Sequence, residues 1–178
     1  MVKERITIVS LLLLLVTIFG VDHGFTQEDF LINERVITSN VLSQNDETYG
    51  VSRVIDGDTI ELENGEKVRY IGIDTPELKG RDGKECFADR AKQANTRLVE
   101  GKIVRLEKDV SEKDRYGRLL RYVYVSLDGE ELLVNNWLVE NGYAYAASFP
   151  PDVAKQELFS SAQTRAREEN KGLWNDCI

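Results

Sequence analysis

Tyr49 to Asp74 reads YGVSRVIDGDTIELENGEKVRYIGID. β-Branched and aromatic residues alternate with polar ones around two turn signals, Asp56-Gly57 and Asn64-Gly65. The pattern predicts one strand from Tyr49 to Ile55, a second from Thr59 to Leu62 and a third from Lys67 to Ile73. Asn64-Gly65 marks a hairpin between the second and third, and the loop length decides which face is buried. A two-residue loop would set Ile60 opposite Arg69, putting an arginine on the apolar face. A three-residue loop, Glu63 to Gly65, sets Ile60 opposite Val68 and turns Arg69 outward. The second arrangement keeps one face apolar, so it is the expected one, with Gly65 in a left-handed bulge position.

Downstream, Phe87, Ala91, Ala94 and Leu98 follow helical spacing, and Gly101 is a suitable stop. Ile103 to Glu107 and Leu119 to Leu127 read as strands. Glu131 to Asn141 reads as a helix ending at Gly142. Asp152 is expected to cap a last helix reaching about Asn170, with Leu158, Phe159, Ala162 and Ala166 on one face. Five strands with helices inserted late make an α+β chain compatible with a five-stranded OB-type Greek-key β-barrel with three α-helices. Composition and spacing alone do not select it over other α+β folds.

The chain has 178 residues, 42% apolar and 30% charged, enough for one packed domain. Lys3 and Arg5 precede an uncharged run from Ile6 to Val21. Residues 1–21 therefore read as a signal peptide or a retained N-terminal anchor, and the protein is expected to be secreted or held at the outer face of a membrane. Residues 22–47 are polar and acidic, the composition of a flexible tether, and residues 48–178 form the folded domain. The net charge is −8. Residues 1–47 carry 3 basic and 7 acidic side chains and residues 48–178 carry 20 and 24, so half of that charge lies outside the expected domain. The balance argues against a protein that holds nucleic acid by general positive charge. His23 is the single histidine, which excludes Ser-His-Asp triads, Cys-His pairs and paired-histidine zinc sites. Chemistry must then come from carboxylates, Arg, Lys, Tyr or a hard cation.

Three clusters offer those groups. Asp56-Gly57-Asp58-Thr59 sets two carboxylates about a glycine at a strand boundary, where oxygen ligands can converge on a hard cation. Asp74-Thr75-Pro76-Glu77 adds two more directly after the third strand. Asp114-Arg115-Tyr116-Gly117-Arg118 supplies planar, permanently charged donors suited to phosphate oxygens. Taken singly, each reads as an ordinary turn or surface loop. Arg69 lies on the strand that leads into Asp74, so an arginine and a carboxylate pair reach one end of the sheet. A carboxylate-bound cation, a spare carboxylate and two arginines suit a phosphodiester.

The ordered motifs VIDGDT (Val54 to Thr59), IDTPE (Ile73 to Glu77) and DRYGR (Asp114 to Arg118), with Gly172-Leu173-Trp174 near the end, resemble the staphylococcal nuclease-like (thermonuclease) family. The resemblance covers about residues 48–175. It implies the OB-type barrel with three helices and Ca2+-dependent cleavage of DNA and RNA, single-stranded or locally unpaired, to 3′-phosphate ends. It also implies that Asp58, Asp74 and the Thr75 carbonyl bind Ca2+, with Asp56 supporting them. Glu77 would hold or activate the attacking water, and Arg69 and Arg118 would clamp the phosphate. Arg118 and a water are the candidate proton donors for the leaving oxygen.

The family's two nucleotide-pocket tyrosines are not matched here: Ser148 and Phe149 or Pro150 fall where those rings are expected, so Tyr145 or Phe149 would supply a stacking face. Arg115 keeps the charge of the lysine often found at its position, and Tyr116 reads equally as a phosphate partner or a packed loop aromatic. Trp137 and Trp174 sit among apolar neighbours and read as packing residues. Cys86 and Cys177 suggest a disulfide in an exported chain. No obligate protein partner is expected and a monomer is. The alternative reading is a non-catalytic OB-type module that binds single strands or proteins.

Overall fold

The computed structural model describes residues 47–177, so the expected leader and nearly all of the expected tether lie outside the described residues. Among the described residues eight strands and four helices follow in chain order: β1 (Glu47–Val54), β2 (Thr59–Leu62), β3 (Lys67–Tyr70), β4 (Ile73–Asp74), α1 (Ala88–Val99), β5 (Ile103–Glu107), β6 (Leu119–Leu127), β7 (Glu130–Leu133), α2 (Val134–Glu140), β8 (Tyr145–Ala146), α3 (Gln156–Glu168) and α4 (Leu173–Asp176).

Strands β3-β2-β1-β5-β6 form a continuous sheet, and a parallel β3–β6 pairing closes it into the five-stranded barrel. The β2–β3 hairpin has the three-residue loop: Ile60 faces Val68, and Gly65 has φ 86°. That register buries Ile60 and Val68 completely, beside Val51, Leu62, Val104 and Val123. The barrel core continues onto the helices through Leu98, Val99, Leu138, Val139 and Phe159. Asn135, fully buried, links the two layers: its Oδ1 accepts Val123 N–H and its Nδ2 donates to Ile71 O, each at 2.9 Å.

Several boundaries differ from expectation. The third strand stops at Tyr70, and a separate short strand, β4, follows and pairs with β8. The carbonyls of Tyr70 and Ile73 both turn to Arg69 Nη1 at 2.9 Å, which bends the chain between them. The expected helix from Glu131 begins later: Glu130–Leu133 pairs with β6 across an Asp128-Gly129 turn, and α2 starts only at Val134. Asp152 does not cap α3, which starts at Gln156; its Oδ1 accepts Val110 and Ser111 N–H at 3.0 and 2.7 Å instead. The single-turn α4 is a fourth helix beyond the three expected. Trp137 stacks on Tyr143 at 5.6 Å, in its expected packing role. Among the described residues no helix is long and apolar enough to cross a membrane.

Candidate active site

The β1–β2 connection carries Asp56 and Asp58. Ile55 and Asp56 N–H both donate to Thr59 O, and Asp56 Oδ1 accepts Asp58 N–H at 3.1 Å, so the turn is bonded to itself. Gly57 is set by close approach: a Cβ there would lie 2.5–2.7 Å from the Thr75 side chain. Asp58 is 5% exposed. Its Oδ2 accepts both Thr75 N–H and Thr75 Oγ1–H at 2.9 Å, and its Oδ1 accepts Thr59 Oγ1–H at 3.2 Å. One carboxylate thus fastens the first motif to the second.

Arg69 lies between the carboxylates. Its Nη1 is 3.2 Å from Asp58 Oδ2, and its Nη2 donates to Asp74 Oδ1 at 2.8 Å. Burial pushes the Asp58 carboxyl up to about 6; the Arg69 charge opposes this and the Asp56 charge adds to it. Burial also raises Asp74, again against Arg69. Glu77 is raised by burial first and then by the charges of Asp56 and Asp74. The site carries more negative charge than one guanidinium balances. Among the described residues no three His, Cys, Asp or Glu side chains form a ready metal cluster. The donor set nonetheless fits a hard cation: two carboxylates joined through Arg69, with the Thr75 backbone between the two loops.

Parallel pairing of β3 with β6 sets Arg69 opposite Leu120 and brings the Asp114–Arg118 loop beside it. Asp114 organises that loop. Its Oδ1 accepts Tyr116 and Arg118 N–H at 2.9 and 3.0 Å, and its Oδ2 accepts Arg118 Nε–H at 2.6 Å. This bonding holds the inner edge of the Arg118 guanidinium and lowers the Asp114 pKa despite partial burial. A cleft of about 430 Å³ is lined by Arg69, Arg115, Tyr116, Arg118, Phe149 and Asp152, among others. The Arg115 and Arg118 guanidinium carbons lie 4.8 and 5.4 Å from the Tyr116 ring centroid. Tyr116 and Phe149 are 68% and 57% exposed, so two solvent-facing aromatic rings share the cleft with the arginines.

The structure therefore gathers Asp56, Asp58, Arg69, Asp74 and Thr75 into one cluster, sets Glu77 within reach of its charges, and places Arg69 in the same cleft as Arg115, Tyr116, Arg118 and Phe149. Tyr145 is not among the residues lining that cleft: its backbone pairs with Asp74, and its ring packs edge-on against Trp174 at 5.3 Å. Cys86 and Cys177 are joined as a disulfide, in front of α1 and after α4. Sequence reasoning missed Asn95 and Glu85. Asn95, fully buried, accepts Tyr70 Oη–H at 2.9 Å and donates to Asp56 O at 3.4 Å, bracing the first carboxylate loop from behind. A polar residue among Ala91, Ala94 and Leu98 on the apolar face of a helix was the available signal. Glu85 Oε2 accepts Glu77 N–H at 2.9 Å, a loop contact that no spacing rule announces.

The family model for staphylococcal nuclease homologues matches residues 67–176, from β3 to α4. Over 143 residues the chain is 37% identical to a thermonuclease of Staphylococcus hyicus, covering 78% of this chain and 82% of that one. It is 37% identical over 132 residues to a thermonuclease of Staphylococcus intermedius, covering 72% and 76%. It is 35% identical over 131 residues to endonuclease YncB of Bacillus subtilis (strain 168), covering 70% and 60%. A matched model over more than half of the chain, relatives over most of it and a closed five-stranded barrel agree: the chain belongs to the staphylococcal nuclease family.

Proposed function

We propose that this protein is an exported Ca2+-dependent nuclease that hydrolyses phosphodiester bonds of single-stranded or locally unpaired DNA and RNA, leaving 3′-phosphate ends. Family membership and the thermonucleases and endonuclease among its relatives support nuclease chemistry. The observation that carries the finer reading is Arg69, which bridges Asp58 and Asp74 while lining the cleft that contains Arg118.

Asp58, Asp74 and the Thr75 carbonyl would hold the calcium ion. When bound, the ion supplies positive charge that polarises the phosphoryl group. Arg69, which pairs with both carboxylates here, would then be able to offer its guanidinium to a phosphate oxygen. Arg118 is pre-aimed: Asp114 holds its Nε, and its two terminal nitrogens have no protein hydrogen bond among the described residues. Two guanidinium groups then hold the phosphate and stabilise the charge that builds up as water attacks. Glu77 orients that water and takes its proton; the new bond is water oxygen to phosphorus, and the bond to the 5′ oxygen breaks, that oxygen taking a proton from Arg118 or from a water. Tyr116 and Phe149 offer stacking faces for the flanking bases.

Calcium-dependent cleavage of single-stranded DNA, abolished by chelator and reduced steeply in Glu77→Gln, is the expected result. Binding of a thymidine bisphosphate should weaken with cleavage when chelator is added, because Arg69 returns to its carboxylates. Tight strand binding without cleavage would make the protein a non-catalytic module instead. The basic-then-apolar segment at residues 1–21 supports export or anchoring at the outer face, and N-terminal sequencing of secreted protein distinguishes the two. The protein is proposed to act as a monomer.

A further inference from the structure

Glu77 and Glu85 close the neck of a nine-residue loop. Glu77 N–H donates to Glu85 Oε2 at 2.9 Å, and Glu85 N–H donates back to Glu77 O at 3.0 Å. Within the loop Gly83 N–H donates to Gly80 O at 3.2 Å, so the tip folds back on itself. One side of the neck is anchored by Thr75, whose backbone and hydroxyl both bond Asp58. The other side is anchored immediately after Glu85. Cys86 is cross-linked to Cys177, the Phe87 ring meets Tyr143 at 5.6 Å, and α1 begins at Ala88. Lys84 adds an ion pair to Asp89 in the first turn of that helix, at 2.7 Å.

An exposed loop beside an acidic cluster has little reason to place another carboxylate there, since like charges oppose one another. Glu85 does so, and its oxygen is spent on the backbone of the residue proposed to handle water. Without that oxygen the Glu77 backbone keeps only the bond from Glu85 N–H to its carbonyl, and the neck loses one of its two ties. We propose that Glu85 is a positioning residue: it fixes the Glu77 backbone against a strut held by the Cys86–Cys177 cross-link, and so sets where the Glu77 carboxylate meets water.

This inference rests on the reading of Glu77 given above, and a double-mutant cycle separates the two. Steady-state cleavage of single-stranded DNA at saturating calcium is measured for the full chain and for Glu85→Ala, Glu85→Gln, Glu77→Gln and Glu77→Gln/Glu85→Ala, with melting temperatures alongside. Glu85→Ala is expected to lower kcat roughly ten- to a hundredfold, the usual cost of a misplaced reacting group, with KM within about twofold. Glu85→Gln keeps an oxygen acceptor and should restore kcat to within about threefold of the parent. In the Glu77→Gln background, Glu85→Ala should cost nothing further. Wild-type kcat in Glu85→Ala overturns the inference, as does a loss that adds fully to that of Glu77→Gln. A loss in Glu85→Ala that glutamine does not restore, accompanied by a lowered melting temperature, also overturns it in favour of a purely structural role. Wild-type activity in Glu77→Gln overturns the underlying reading instead.

Discussion

Asp114 spends both carboxylate oxygens on a five-residue turn, and the consequence falls on Arg118. Charge-assisted hydrogen bonds of this kind contribute roughly 1.5–3 kcal/mol. Asp114→Asn retains an acceptor for the backbone but weakens the grip on Nε. We expect kcat to fall roughly tenfold, about 1.4 kcal/mol, with the fold intact by circular dichroism. Arg118→Lys should cost more, because a point charge on a flexible stem cannot reproduce a planar fork held along one edge. Gly57 offers a test of a different kind. A methyl group at Gly57 meets Thr75 at contact distances that neither side can accept, so Gly57→Ala should destabilise by about 1–3 kcal/mol in urea titration and separate the two carboxylate loops. The DGD and DTPE motifs gave both loops away in the sequence. The family resemblance brought the two loops together, but that the Asp58 carboxylate fastens them through Thr75 N–H and hydroxyl was not legible, because nothing local records that contact.

At the scale of elements, a polar cluster ties β5 and β6 to the approach to α3. Tyr124 Oη–H donates to Glu107 Oε2 at 2.7 Å, and Lys155 Nζ is 2.8 Å from Glu107 Oε1. Burial would raise the Glu107 carboxyl, but hydrogen bonds from Lys155 and Tyr124 and the charges of Lys155 and Arg105 outweigh it and hold the pKa below its usual value. A depressed carboxylate stabilises the fold above its unfolded pKa, and that contribution disappears as pH falls through the folded one. The stability difference between the parent and Glu107→Gln should therefore be constant near neutrality and shrink below about pH 4, in denaturant titrations at stepped pH. The same scale shows where sequence patterns succeed and fail. The β2–β3 register was legible because a slip of one residue would have put Arg69 in the core. The β6–β7 hairpin was obscured by the apolar residues that run on into α2, although Asp128-Gly129, both at positive φ, is a recognised two-residue turn signal. Asp152 looks like a helix cap from its neighbours, but two N–H groups from the 110–111 segment claim it first, an outcome only tertiary contacts decide.

At the scale of the whole molecule, the Cys86–Cys177 bond closes a loop of 91 positions. The chain-entropy account values such a closure at roughly 4–5 kcal/mol. Non-reduced protein should show no free thiol, and a dithiol reductant should lower the urea midpoint by an amount consistent with that value. The barrel was legible as five patterned segments, and the family motifs then chose among folds that spacing alone leaves open. The pocket aromatics were less so. Phe149 and Tyr145 look alike as candidates in sequence, and only the packing of Trp174 against Tyr145 separates them.

The seam between β3 and β6 joins strands from distant parts of the chain, and it sets Arg69 opposite Leu120, two residues past Arg118. If those two arginines grip the scissile ester as proposed, cutting power does not accrue gradually as the polypeptide folds. It arrives with the final stave of the barrel. On that reading a chain whose barrel has not yet closed would leave nucleic acid uncut.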